Sequence, residues 1–140
     1  MAAKNISILL SAWLYVVAAL RILSVVVGIT NAAIFQDRLF SKAQGQVSPL
    51  YGRTFSTWTF TTCVLCVLTA RNPDPHAPIF TATLFSFVSA LAHFSTELLW
   101  FETMTLGNAL SPLVVASISI VWMSTILAIT PVGEAMEKGE

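Results

Sequence analysis

Three ionisable side chains interrupt stretches that are otherwise apolar: Arg21, His93 and Glu97. A charge at that depth in a membrane is costly, so such residues face a protein interior and take a partner there. His93 and Glu97 are four residues apart and share one helix face. That face runs back through Ala90, Ser86 and Ala82, all small, and small residues let helices approach closely in lipid. A carboxyl group beside an imidazole can move a proton in a buried lipid pocket. The same two side chains are only half of a metal site. The structural alternative is an interior Arg21–Glu97 ion pair with His93 alongside, because an unpaired carboxylate there would protonate. Counting back from the span ends puts all three at matching depth. Structural pairing comes first among these readings, recognition of a partner or lipid second, and catalysis third.

A second group is Arg53-Thr54-Phe55-Ser56-Thr57-Trp58-Thr59. Arg53 can anchor among headgroups while its stem lies along apolar surface. Thr54, Thr57 and Thr61 can hydrogen-bond to the preceding turn or to a neighbouring helix. Arg53, Thr54 and Trp58 thus form a candidate interfacial motif beside the intramembrane trio. Cys63 and Cys66 have a spacing that suits redox chemistry or zinc. They lie in an apolar run with no further ligands nearby, so they read as buried, inert thiols. No nucleotide-binding glycine loop, nucleophile elbow or histidine-rich cluster is visible. The sequence therefore names no catalytic, cofactor-binding or metal-ligating residue and implies no cofactor.

The elements that must position these residues are membrane helices. Of the 140 residues, 56% are hydrophobic and 10% charged, against about a quarter charged in ordinary soluble domains. Seven basic and seven acidic residues cancel, so there is no basic field to hold nucleic acid. Crossing a bilayer takes about 20 apolar residues of helix. Four stretches qualify, at about residues 8–28, 52–71, 79–101 and 109–130. The expected fold is all-α, a single integral membrane four-helix bundle. The N-terminal run reads as a retained helix rather than a cleaved signal. The connection 36–50 is the long polar loop. Residues 71–78, with prolines at 73, 75 and 78, must stop a helix. Pro112 falls in the first turn of the last span, and the polar tail 131–140 is expected to fray. Lys4, Arg71 and Lys138 on one side balance Arg38, Lys42 and Arg53 on the other, so basic residues do not orient the chain.

Three motifs in this order resemble the ergosterol biosynthetic protein 28 family: Arg53-Thr-Phe-x-x-Trp58-Thr, Ala92-His93-Phe94-Ser-x-Glu97-Leu98, and Leu110-x-Pro112-Leu-x-Val-Ala116-Ser-x-Ser119-Ile. Trp13-Leu14 fits as well. The resemblance implies a small protein of the endoplasmic reticulum membrane that is not an enzyme. It would tether three enzymes of sterol C4 demethylation: a sterol C4-methyl oxidase, a decarboxylating 3β-hydroxysteroid dehydrogenase and a 3-keto sterol reductase. Some members have basic tails that look like retrieval signals, whereas Glu134 to Glu140 holds only Lys138. Two other functions compete with the scaffold: a sterol-binding protein or isomerase using Glu97 and His93, and a small dimeric transporter.

Overall fold

A computed structural model describes residues 2–130, all of whose regular elements are helical: α1 (Ala2–Thr30), α2 (Ala33–Arg38), α3 (Pro49–Arg71), α4 (Pro78–Leu99) and α5 (Leu106–Ile129). Among the described residues, three helical segments are long and apolar enough to cross a membrane, Ile6–Thr30, Pro78–Leu99 and Leu106–Ile129. This is an all-α membrane protein. α3 has comparable length but is more polar, with six Ser or Thr residues between 53 and 62. The tail 131–140 lies outside the described residues.

The helix ends follow from their residues. Ser48 caps α3 by accepting from the Tyr51 N–H at 3.1 Å, and Pro49 stands first in the helix, where no N–H is needed. Pro78 does the same for α4. Thr105 caps α5, accepting from the Asn108 N–H at 3.3 Å. That cap moves the start of α5 back to Leu106, so Pro112 sits in the second turn rather than the first. There it cannot donate to the Asn108 carbonyl.

α1 packs chiefly on α3, and α4 on α5; narrower contacts join α3 to α4 and α1 to α5. α1 and α4 therefore lie on a diagonal. The α1–α3 crossing is closest at Gly28 and Gly52. A Cβ on Gly28 would lie 2.5 Å from Phe35 Cε2 and 2.8 Å from the Gly52 carbonyl oxygen. One on Gly52 would lie 2.6 Å from the Gly28 carbonyl oxygen. Ser56 strengthens the crossing by donating to Val25 O at 3.1 Å and Gly52 O at 2.8 Å.

Two cores fill the interior. One holds Leu10, Leu14, Val17, Cys63, Cys66, Phe80, Phe87, Met123 and Ile126. The other, at the end where α2 lies, holds Phe35, Phe40, Ala43, Phe55, Phe94, Met104 and Ala109. The segment 36–50 is thus more than a polar loop. It opens in helix α2 and sends Phe40 and Ala43 into the second core, each 3% exposed.

Candidate functional site

The intramembrane trio divides. Arg21 Nη1 donates to Thr62 O at 2.8 Å and to Cys66 Sγ at 3.3 Å, both on α3. Its Cζ stands 4.6 Å from the centre of the Phe87 ring on α4, an arrangement in which the ring face attracts the cation. The expected Arg21–Glu97 pair is not formed. Arg21 lies nine residues before the end of α1 and Glu97 two before the end of α4. At the helical rise that difference is about 10 Å of depth, across the diagonal of the molecule.

Glu97 instead holds a connection in place. Its Oε2 accepts from Thr103 Oγ1 at 2.6 Å, while its backbone carbonyl accepts from the Thr103 N–H at 2.9 Å. Thr103 in turn accepts, through its carbonyl, from the Lys42 N–H at 3.0 Å. His93 Nδ1 is 4.0 Å from Glu97 Oε1, the ion pair to be found among the described residues when the ring is protonated. The imidazole is boxed by rings: Phe94, Trp58, Phe40 and Phe55 lie 5.1, 5.7, 6.3 and 6.5 Å away, centre to centre. Its Nε2 is buried without a hydrogen bond. The tautomer that donates from Nδ1 towards Glu97 leaves a bare lone pair there, the cheaper group to strand.

The face expected to carry small residues inward does so only in part. Ser86 is buried and Ala90 half-buried, but Ala82 is exposed. The buried positions of α4 are Phe80, Thr83, Ser86, Phe87 and Phe94, so rings rather than small residues dominate its inward face. The Arg53 motif also splits. Arg53 and Thr54 are exposed, and Thr54 Oγ1 turns back to Leu50 O at 3.0 Å. Trp58 packs into the ring cluster, 5.5 Å from Phe55. Both thiols are free and buried; Cys63 Sγ donates to Ala18 O at 3.4 Å.

A cavity of about 560 Å³ opens between α1 and α5, beneath α2. Arg21, Arg38, Asn108 and the hydroxyl residues Ser24, Thr59, Thr62 and Ser111 supply its polar lining, and neither His93 nor Glu97 borders it. The acid–base pair is therefore separated from the space where a substrate would sit, with Phe55, Trp58 and Phe94 lying on both sides of that division. Sequence reading missed this cavity. Its only trace was Arg21, whose partner was sought on the wrong helix. Among the described residues, no group of three or more His, Cys, Asp or Glu side chains is arranged to hold a metal.

Comparison with known proteins gives a consistent answer. Residues 10–121 match the family model described as Erg28 like protein. The ergosterol biosynthetic protein 28 of Arabidopsis thaliana is 45% identical over 111 residues, covering 79% of this chain and 84% of that protein. The protein of the same name from Saccharomyces cerevisiae is 33% identical, covering 79% and 75%. The Homo sapiens homolog is 31% identical, covering 81% of each. No solved structure matches the chain.

Proposed function

The chain belongs to the Erg28-like protein family, and from that premise we propose that it is a non-catalytic scaffold of sterol biosynthesis in the endoplasmic reticulum membrane. Its partners would be the sterol C4-methyl oxidase, the decarboxylating 3β-hydroxysteroid dehydrogenase and the 3-keto sterol reductase. Holding successive enzymes together raises their effective concentration without new chemistry. Poorly soluble intermediates gain most from short transfer distances.

One observation carries the non-catalytic part of this reading. The best acid–base pair in the chain, His93 and Glu97, is engaged in fastening a connection to the end of α4 and stands off the cavity. An isomerase built on these two residues would need them to face a substrate. Mild detergent extraction from native membranes, followed by mass spectrometry, tests the scaffold. The three enzymes are expected to co-purify in stable proportion. Recovery of the chain without any of them overturns the reading.

The architecture we propose is a four-helix bundle, with α3 as the fourth span. Its buried Ser56, Thr59, Thr62 and Thr69 turn towards neighbouring helices rather than lipid, which lets a polar helix cross inside a group. Both termini then lie on one side of the bilayer. Glycosylation tags at each terminus should be modified together or not at all, and a split result would exclude four spans.

A further inference from the structure

Arg21 is an unneutralised cation inside a span. Among the described residues it has no carboxylate partner, and no Asp or Glu lines the cavity it faces. Its two hydrogen bonds both leave from Nη1. A guanidinium has five donors in a planar fork, so the Nε and Nη2 edge is left over. Phe87 occupies one face of the group but not that edge, which is the geometry that takes a carboxylate with two parallel bonds.

The space beside it fits a ligand. A volume of about 560 Å³ lies within the range of roughly 300–1,000 Å³ typical of small-molecule sites. The walls near Arg21 are largely apolar, with Val17, Leu20, Phe87, Val115 and Ala116, and the hydroxyl residues Ser24, Thr59 and Thr62 complete them. Leu20 and Leu23, which line the cavity, are 50% and 63% exposed, and Ser111 opposite is exposed too. The mouth is therefore a lateral cleft between α1 and α5, open to lipid. Helices α1 and α5 touch elsewhere, where Trp13 Nε1 donates to Ser119 Oγ at 2.9 Å.

We infer that this cleft binds an amphiphile carrying one carboxylate, which pairs with Arg21 while the apolar body fills the cavity. The inference goes beyond the scaffold and does not depend on it. A phospholipid headgroup does not meet the same requirement. Arg21 lies nine residues inside the end of α1, about 13 Å below the level where phosphates sit. Arg38, at the close of α2 and so beyond the end of α1, is the cavity's other basic residue. A carboxylate neutralises a cation held in a poorly solvating environment, and two parallel charge-assisted bonds offset the hydration the carboxylate gives up; a neutral ester can do neither, which supplies selectivity for the acid.

The test is equilibrium binding to the full chain in phosphatidylcholine nanodiscs, with empty nanodiscs subtracted. The probes are a steroid monocarboxylic acid, oleic acid, and the methyl ester of each. At least one acid is expected to bind tenfold or more tightly than its ester, and the pair that shows the larger ratio tells whether a ring system or a chain fills the cavity. Arg21→Gln should bring that ratio close to one, Arg21→Lys, which keeps the charge without the planar fork, should keep only part of it, and Arg38→Gln should leave the acid clearly preferred. Acid and ester binding within twofold of each other in the unaltered protein overturns the inference, with no variant needed. So does a ratio that survives Arg21→Gln or disappears in Arg38→Gln, which would place the anion at the membrane surface.

Discussion

The two ends of the molecule are built differently. At the end where α1 begins, helices meet directly. Thr69 and Thr83 share a hydrogen bond of 2.7 Å between α3 and α4, and both are fully buried. Trp13 and Ser119 join α1 to α5 at 2.9 Å. The link between α3 and α4 there is the short proline turn. At the other end, the connections themselves form the core. Phe35, Phe40, Ala43 and Met104 all come from α2 or from segments outside the long helices. The polar ties also run through those segments, with Asn108 Nδ2 donating to Ser41 Oγ at 2.8 Å and the Lys42 N–H to Thr103 O at 3.0 Å. His93 and Glu97 belong to this second end, where Glu97 holds a connection over the end of α4.

The largest effect should come from breaking the place on which the second end rests. At the Gly28–Gly52 crossing, even one added carbon meets Phe35 and the opposing backbone. Ordinary overpacking costs about 1–3 kcal/mol, and here backbone rather than a flexible side chain must give way. Gly28→Leu is expected to abolish the monodisperse peak in detergent size-exclusion chromatography. Val26→Leu, two residues away and 52% exposed, should leave it intact. A folded Gly28→Leu protein would mean that the second end does not depend on this crossing.

A smaller effect tests the first end. Thr69→Val keeps shape and removes the hydroxyl link to Thr83 together with a longer bond to Ile79 O at 3.3 Å. Thr83 Oγ1 retains Ile79 O at 2.8 Å and Leu65 O at 3.1 Å as acceptors, so no buried donor is stranded. Interhelical hydrogen bonds in membranes average about 0.6 kcal/mol and reach about 1.7 kcal/mol. A loss in that range is expected by thermal melting, with coupling in the double variant with Thr83→Val. Proteolysis within residues 39–48 should not change. If it does, the two ends are not independent.

This contrast also explains what the sequence could and could not disclose. The long helices overlie the four stretches read as spans, of which three are apolar enough to cross a membrane among the described residues, and Ser48-Pro49 and the prolines at 73, 75 and 78 mark boundaries by local chemistry. Such signals depend on neighbouring residues. Helix α2 was hidden because polar neighbours mask Phe35, Leu39 and Phe40, whose burial depends on a fold-back. Gly28 and Gly52 gave no signal, since each helix carries one glycine at the crossing and no repeat. Arg21 was paired wrongly because depth was counted from guessed ends. The span ends set at 28 and 101 fall at Thr30 and Leu99, and those shifts of two residues in opposite directions increase the mismatch. Nor does counting depth reveal a diagonal. His93 and Glu97 were legible as neighbours, but their outward-turned task, gripping Thr103, required knowing where the next connection lies.

The smallest effect separates holding from chemistry. Glu97→Gln keeps an oxygen that can accept from Thr103 Oγ1 and keeps the backbone bond from the Thr103 N–H. What it loses is the charge facing His93, and a partly exposed pair 4.0 Å apart contributes about 0–1 kcal/mol. Thr103→Val removes the hydroxyl and with it the bonds to Glu97 Oε2 and Glu97 O at 2.6 and 3.2 Å. It leaves the carboxylate without that donor, and should cost about 1–3 kcal/mol. If Glu97 fastens the connection, Thr103→Val melts lower than Glu97→Gln, and Glu97→Gln supports sterol synthesis as well as the unaltered chain in a null strain. If Glu97 instead transfers a proton, the order reverses in function while the melting order stays. Gln cannot shuttle a proton, so synthesis would fail in Glu97→Gln although the protein remains folded. That single outcome would return the second end from architecture to catalysis.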